Sequence, residues 1–265
     1  MKKYWALFRN CWLDALTYRA ESLVWLLGDA MPSLVMLALW LTVYRQREAI
    51  AGYTLSMMVV YYLGMIIMEA LFTPHCEEWL AWLIRRGELS SFLLRPLSVV
   101  AYFMWTEVAW RILRFLLLLI PFGLILSKVL VFISLPSLSF RQWVVLLLAL
   151  LFSYLLHFAI KFLLGSTAFW LVEPRGLFNF FYIANSVFSG AFLPLDLFPP
   201  SIVSLSNILP FKYIYYFPLN VVLGKFAGRK LLLGLGIQVF WMVVFGLTMF
   251  FVWRRGLKRY AAVGG

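Results

Sequence analysis

Acidic side chains are scarce in this chain: 11 Asp and Glu stand against 23 Lys and Arg in 265 residues, and charged residues together reach only 13%. Histidine and cysteine are rarer still, at two each. A structural or catalytic metal centre takes three or four His, Cys or carboxylate ligands at motif spacing, and no such spacing occurs, so no metal site is expected. Cys11 and Cys76 match no redox motif and are expected to be free. No Ser-His-Asp set or paired-carboxylate arrangement is present, which argues against an active site. No Gly-x-x-x-x-Gly-Lys-Ser/Thr loop is present either, so the chain lacks the means to cradle a nucleotide phosphate. Charged residues interrupt the first twenty positions and no small-residue cleavage site follows, so these residues are not expected to act as a cleavable signal peptide.

What is abundant is apolar surface: 64% of the residues are hydrophobic and 19% aromatic. One soluble core could not bury so much, and the apolar blocks are too long and continuous for the alternating strands of a membrane barrel. The expected class is therefore an all-α integral membrane protein. The net charge of +12 would suggest nucleic acid in a soluble protein. Here the basic residues cluster at the ends of apolar blocks, so membrane lipid headgroups are the expected partner and nucleic acid is not.

Taken in order, residues 1–20 place Trp5, Phe8, Trp12, Ala15 and Leu16 at helical spacing and read as an interfacial helix. Six crossings are expected at 22–44, 53–73, 99–126, 142–171, 177–193 and 231–253, each judged against the roughly 20 apolar residues a helix needs. Residues 128–141 read as a loop containing Pro136, and Val172 to Gly176 as a tight turn. Residues 194–230 carry Pro194, Pro199, Pro200, Pro210 and Pro218 yet stay apolar, the pattern of a re-entrant outer segment whose freed backbone groups must be covered by protein or a cavity. Six crossings put both termini on one side, and the modest excess of basic residues there assigns that side to the cytoplasm.

Between the second and third spans, residues 76–92 read as a flat amphipathic helix, with Glu77, Glu78, Arg85, Arg86 and Glu88 among Trp79, Trp82, Leu83 and Leu89. Two readings stay open: charges that meet lipid phosphate, or a docking surface for a soluble partner. Inside the spans, Glu107 and Arg111 can pair at i, i+4, with Arg114 beyond; this trio reads as a structural ion pair or as part of a subunit interface or gate. Asp29, Glu69, His157 and Lys161 suggest structural pairing, a substrate role or a proton relay. His157 and Lys161 share a helix face and are better matched to an acid on another helix than to each other. Phe188, Phe192, Pro194, Phe198, Pro199, Pro210 and Phe211, with Tyr213, Tyr215, Tyr216 and Phe217, read as interfacial anchors or as an outer gate.

Three features together resemble the ABC-2 permeases, the membrane subunits of type-2 ATP-binding-cassette exporters, and among them the small bacterial stand-alone permeases. They are the order of elements, the run Leu83-Ile84-Arg85-Arg86-Gly87-Glu88-Leu89 followed by Phe92-Leu93-Leu94-Arg95-Pro96-Leu97, and Ser189 to Pro194 followed by Phe198-Pro199-Pro200 and Leu209-Pro210-Phe211. The likeness covers essentially the whole chain, with Glu88-Leu89-Ser90 where the family often has Thr-Leu-Glu after the glycine. The resemblance implies a multi-pass protein of the bacterial inner membrane, working as a homodimer or with a second ABC-2 permease above two ABC ATPase subunits. ATP and Mg would sit on those ATPases, with no cofactor on this chain. The 76–92 helix would be the coupling helix, and the cargo a drug, lipid-like metabolite or peptide moved by alternating access. The rival classes are an ion-driven secondary carrier, for which internal repeats are missing, and a non-transporting membrane scaffold or assembly factor.

Overall fold

A long apolar block can satisfy its own backbone in lipid only as a helix. Helices dominate the computed structural model, which describes residues 2–129 and 137–260. They are α1 (Lys2–Thr17), α2 (Arg19–Val43), α3 (Leu55–Phe72), α4 (Glu77–Arg85), α5 (Leu89–Leu93), α6 (Val99–Val129), α7 (Phe140–Ser166), α8 (Arg175–Phe188), α9 (Pro200–Ile208), α10 (Tyr216–Val222) and α11 (Gly228–Arg259). Among these residues, α2, α3 running on into α4, α7 with the short turn after it, and α11 are long and apolar enough to cross a membrane. Helix α6, at 31 residues, is long enough but carries Glu107, Arg111 and Arg114. Helix α8 has 14 residues and spans only about 21 Å at 1.5 Å per residue, short of a hydrocarbon core of roughly 30 Å. The expected loop at 128–141 lies partly outside the described residues.

On helix α1, Leu7, Cys11 and Ala15, one turn apart, are buried, Leu7 and Cys11 in a cluster with Ala109, while Trp5 is 68% exposed. The single helix expected at 76–92 is two, because Gly87 adopts φ +76° beyond the end of α4, a left-handed stop that favours glycine. A feature unread in the sequence is the hairpin of β1 (Ala49–Ile50) and β2 (Tyr53–Thr54) between α2 and α3. Its Ala51-Gly52 turn has both φ values positive, at 48° and 77°, the pairing a two-residue hairpin requires.

The core forms around α3, α7 and α11. Glycine lets helices approach: a Cβ on Gly234 would overlap the Phe217 ring. Gln238, buried on α11, donates one amide group to the carbonyls of Ala149 on α7 (2.8 Å) and Tyr213 (2.9 Å). The proline-rich stretch turns back into this bundle. Tyr213, Tyr215 and Phe217 are buried, and Ser153 on α7 donates to the carbonyl of Ile214 at 2.5 Å. Backbone groups released by the prolines therefore find side-chain partners, as an apolar segment of irregular chain requires.

Candidate functional site

The charged residues scattered through the apolar helices converge on one layer at the α4 end of α3. Glu107 and Arg111 on α6 form the i, i+4 pair at 2.7 Å. Both also hold the junction between α3 and α4: the Glu107 carboxylate accepts from the amide of His75 at 3.1 Å, and Arg111 donates to the carbonyl of Thr73. Arg114 reaches α2 and pairs with Asp29 at 2.8 Å. Lys161 on α7 finds its acid on α4, bonding Glu77 at 2.5 Å with both side chains 2% exposed. Tyr182 of α8 donates to the same Glu77 carboxylate. An unpaired charge in such surroundings would cost several kcal/mol, so the Asp29–Arg114 and Glu77–Lys161 pairs each fix two helices relative to each other, while Glu107 and Arg111 fix α6 through their bonds to the α3–α4 junction.

Glu77 was expected on an outward surface, and the helical phase reverses this. Residues 77, 80, 81 and 84 form the i, i+3, i+4, i+7 stripe of α4, and all are buried. That stripe sits on α7 so closely that a Cβ on Gly165 would lie 2.8 Å from the Glu77 carbonyl. Gly87 and Leu89 are buried too. Trp79 is half-buried against Phe92, Tyr102 and Phe103. What α4 shows to its surroundings is Glu78, Trp82, Arg85 and Arg86, with Glu88 just beyond. Arg86 lies over the Trp82 ring at 5.2 Å, and Arg85 bonds Glu173 at 3.1 Å, an exposed pair.

Above the charged layer lies a cavity of about 300 Å³, lined by α2 (Gly28, Asp29, Pro32), α3 (Met65, Glu69), α7 (His157, Lys161), α8 (Tyr182, Asn185) and Phe192 and Tyr215 from the proline-rich stretch. Asp29, Glu69, His157 and Lys161 were singled out in the sequence because they interrupt spans; their meeting at one cavity was not readable there. Tyr182 and Asn185 were missed altogether, since a tyrosine and an asparagine on a short aromatic helix carry no distinguishing pattern. Among the described residues no cluster of His, Cys and carboxylates could hold a metal ion.

The aromatic residues expected at a gate divide. Phe192 is 50% exposed and lines the cavity. Phe188 stacks on Phe211, with ring centroids 6.3 Å apart. Pro194 and Pro210 are buried, Phe198 is half-buried and Pro199 is exposed. The stretch is tied to α3 by tyrosines: Tyr61 donates to the Gly190 carbonyl at 2.7 Å and Tyr62 to that of Phe192 at 3.1 Å. Gly190 has φ +82° and no room for a Cβ beside the Tyr61 hydroxyl. Further along, Asp196 accepts from Tyr53 (2.6 Å), Tyr216 (2.8 Å) and Lys225 (3.1 Å). Burial raises the Asp196 carboxyl, and these three donors outweigh it, leaving the group below its ordinary pKa.

Comparison with known proteins agrees with this architecture of long apolar helices. A family model described as "ABC-2 family transporter protein" matches residues 30–264. Searches of curated proteins and of solved structures find no match. With all but α1 and the start of α2 inside that match, the chain belongs to the ABC-2 family of transporter proteins, as a multi-pass membrane component of an ABC transporter.

Proposed function

We propose that this chain is the permease of an ATP-driven exporter, acting in the bacterial inner membrane with both termini in the cytoplasm. It pairs with a second permease, a copy of itself or a similar chain, and two ABC ATPase subunits that carry ATP and Mg engage the face of α4 bearing Glu78, Trp82, Arg85, Arg86 and Glu88. A hydrophobic or amphipathic cargo leaves the cytoplasm or the inner leaflet by alternating access.

The observation that carries the reading is the two-sidedness of α4. One face is charged, aromatic and open; the other is joined to α7 by the buried Glu77–Lys161 pair and the close approach at Gly165. The junction just before the helix is held to α6 by Glu107 and Arg111. A push on the open face therefore moves α6 and α7 with it, because buried ion pairs and packed backbone transmit displacement instead of absorbing it.

Affinity purification in mild detergent tests it. The wild-type chain should bring down an ABC ATPase, and Arg85→Glu with Arg86→Glu should leave insertion intact while reducing ATPase recovery by about tenfold, the size expected when favourable interface charges become repulsive. Recovery of the wild-type chain with no ATPase would overturn the reading in favour of a scaffold. Equal ATPase recovery with the double variant would remove this face of α4 as the docking surface.

A further inference from the structure

Four carboxylates and three cations meet around the cavity and the layer beneath it. Asp29, Glu77 and Glu107 each have a cation: Arg114, Lys161 and Arg111. Glu69 is left over. It lines the cavity, its neighbours are the hydroxyls of Thr73 and Tyr215, and no ion pair forms to it among the described residues. A carboxylate at mid-bundle without a cation is a costly arrangement for a membrane helix to keep.

A second, independent set of unsatisfied groups borders the same space. His157 is fully buried, and neither of its ring nitrogens makes a hydrogen bond of ordinary geometry, although the Phe72 carbonyl lies close by. Asn185, 8% exposed, has its side-chain oxygen without a donor. Pro32 has no amide hydrogen to give the Gly28 carbonyl one turn earlier, and both residues line the cavity. A carboxylate, an amide oxygen, a main-chain carbonyl and one nitrogen of a neutral imidazole are all acceptors. What they lack is a donor, preferably one with positive charge. The Tyr182 ring already carries the Lys161 ammonium at 4.3 Å, while the rings of Tyr215 and Phe192 add aromatic surface suited to a second cation, and Met36 and Met65 supply adaptable apolar wall. Lys161 cannot serve as the donor, being held by Glu77.

We propose that this cavity is a binding site for the protonated amine of an amphipathic cargo, with Glu69 as its counter-ion and Asn185 and His157 as acceptors for its N–H groups. Its volume lies at the lower limit for small-molecule sites, so it takes an ammonium head with a ring or short chain. Gly28, Pro32, Tyr182 and Phe192 are exposed, and the mouth they form between α2 and α8 lets a longer apolar tail pass outward. This assignment rests on the transport reading for the word cargo, while the binding it asserts does not need an ATPase.

The experiment uses the full chain alone in lipid nanodiscs and three probes of one shape: 1-naphthylmethylammonium, 1-naphthylmethanol and 1-naphthoate, followed by their fluorescence. The ammonium should bind about tenfold more tightly than the alcohol, the worth of a charge-assisted hydrogen bond, and the carboxylate least. Glu69→Gln should bring ammonium and alcohol to within about twofold of each other. The ranking of the three probes on wild-type protein needs no variant, so misfolding of Glu69→Gln does not shelter the idea. Equal binding of ammonium and alcohol, tighter binding of the carboxylate, or a Glu69→Gln protein that keeps the full ammonium preference would each overturn it. Because no ATPase is present, a failure here is separate from a failure of α4 to recruit one.

Discussion

The two ends of α3 hold their acids in different ways. At the α4 end, Glu77 and Asp29 each meet a cation from another helix and Glu107 one from its own, in pairs 2.5 to 2.8 Å long. At the proline-rich end, Asp196 is held mainly by the neutral hydroxyls of Tyr53 and Tyr216, with the partly exposed Lys225 as a third donor. Ion pairs in a dry layer are all or nothing, since losing one partner strands the other. Hydroxyl bonds at a partly wet site can be exchanged for water at modest cost. The α4 end is therefore built to move as one piece, and the other end to tolerate local rearrangement.

The sharpest way to break this contrast is Lys161→Met. It leaves Glu77 buried with only the Tyr182 hydroxyl, and by the cost of stranding one member of a buried pair it should lose roughly 3–5 kcal/mol of stability. A large drop in melting temperature in detergent is the readout. The double variant Lys161→Met with Glu77→Leu removes both charges and should regain most of that loss. If the double variant is no better than the single one, the pair is not an ion pair in the folded protein.

Asp196→Asn should cost less, about 1 kcal/mol, because the site is partly open to water and the amide keeps one acceptor. The same group makes the proline-rich end sensitive to acid. Its folded pKa is depressed, so its contribution is present above the ordinary carboxylate value of about 4 and fades as the pH falls through the lower folded value. Hydrogen exchange of residues 189–226 should accelerate in the wild-type protein below about pH 4, whereas Asp196→Asn should exchange at the faster rate already at neutral pH. Acid acceleration spread evenly over α7 and α11 as well would place the weak point elsewhere.

How much of this was legible in the sequence differs between the two ends. The membrane class, the amphipathic break after α3 and the i, i+4 pair of Glu107 and Arg111 follow from composition and helical spacing, which are local properties. That Lys161 needed an acid from another helix also followed, since two cations one turn apart cannot satisfy each other. That the acid would be Glu77 did not. On a helix of 9 residues, the choice of buried face depends on what α7 presents, and a small residue at Gly165 is invisible as a contact until the two helices are brought together. The tyrosine bonds of the proline-rich end were illegible for a related reason: Tyr53 and Asp196 are separated by 143 positions, and neither stands out in an aromatic-rich chain. The cavity is the extreme case, assembled from α2, α3, α7, α8 and the returning loop, so no window of sequence contains it.

The gentlest test lies on α4 itself, whose two faces repeat the contrast in miniature. Glu77 and Arg85 are two turns apart, yet Glu77 is paired in the dry layer and Arg85 is paired with Glu173 at the surface, where the glutamate is 59% exposed. An exposed pair contributes about 0–1 kcal/mol, so Glu173→Gln should leave the melting temperature nearly unchanged. It also frees Arg85, and if Arg85 engages a soluble partner, that release should keep ATPase recovery equal to wild type or raise it. A fall in recovery as deep as that expected from reversing Arg85 and Arg86 would show that Glu173 belongs to the docking surface and that the turn after α7, not α4 alone, receives the push.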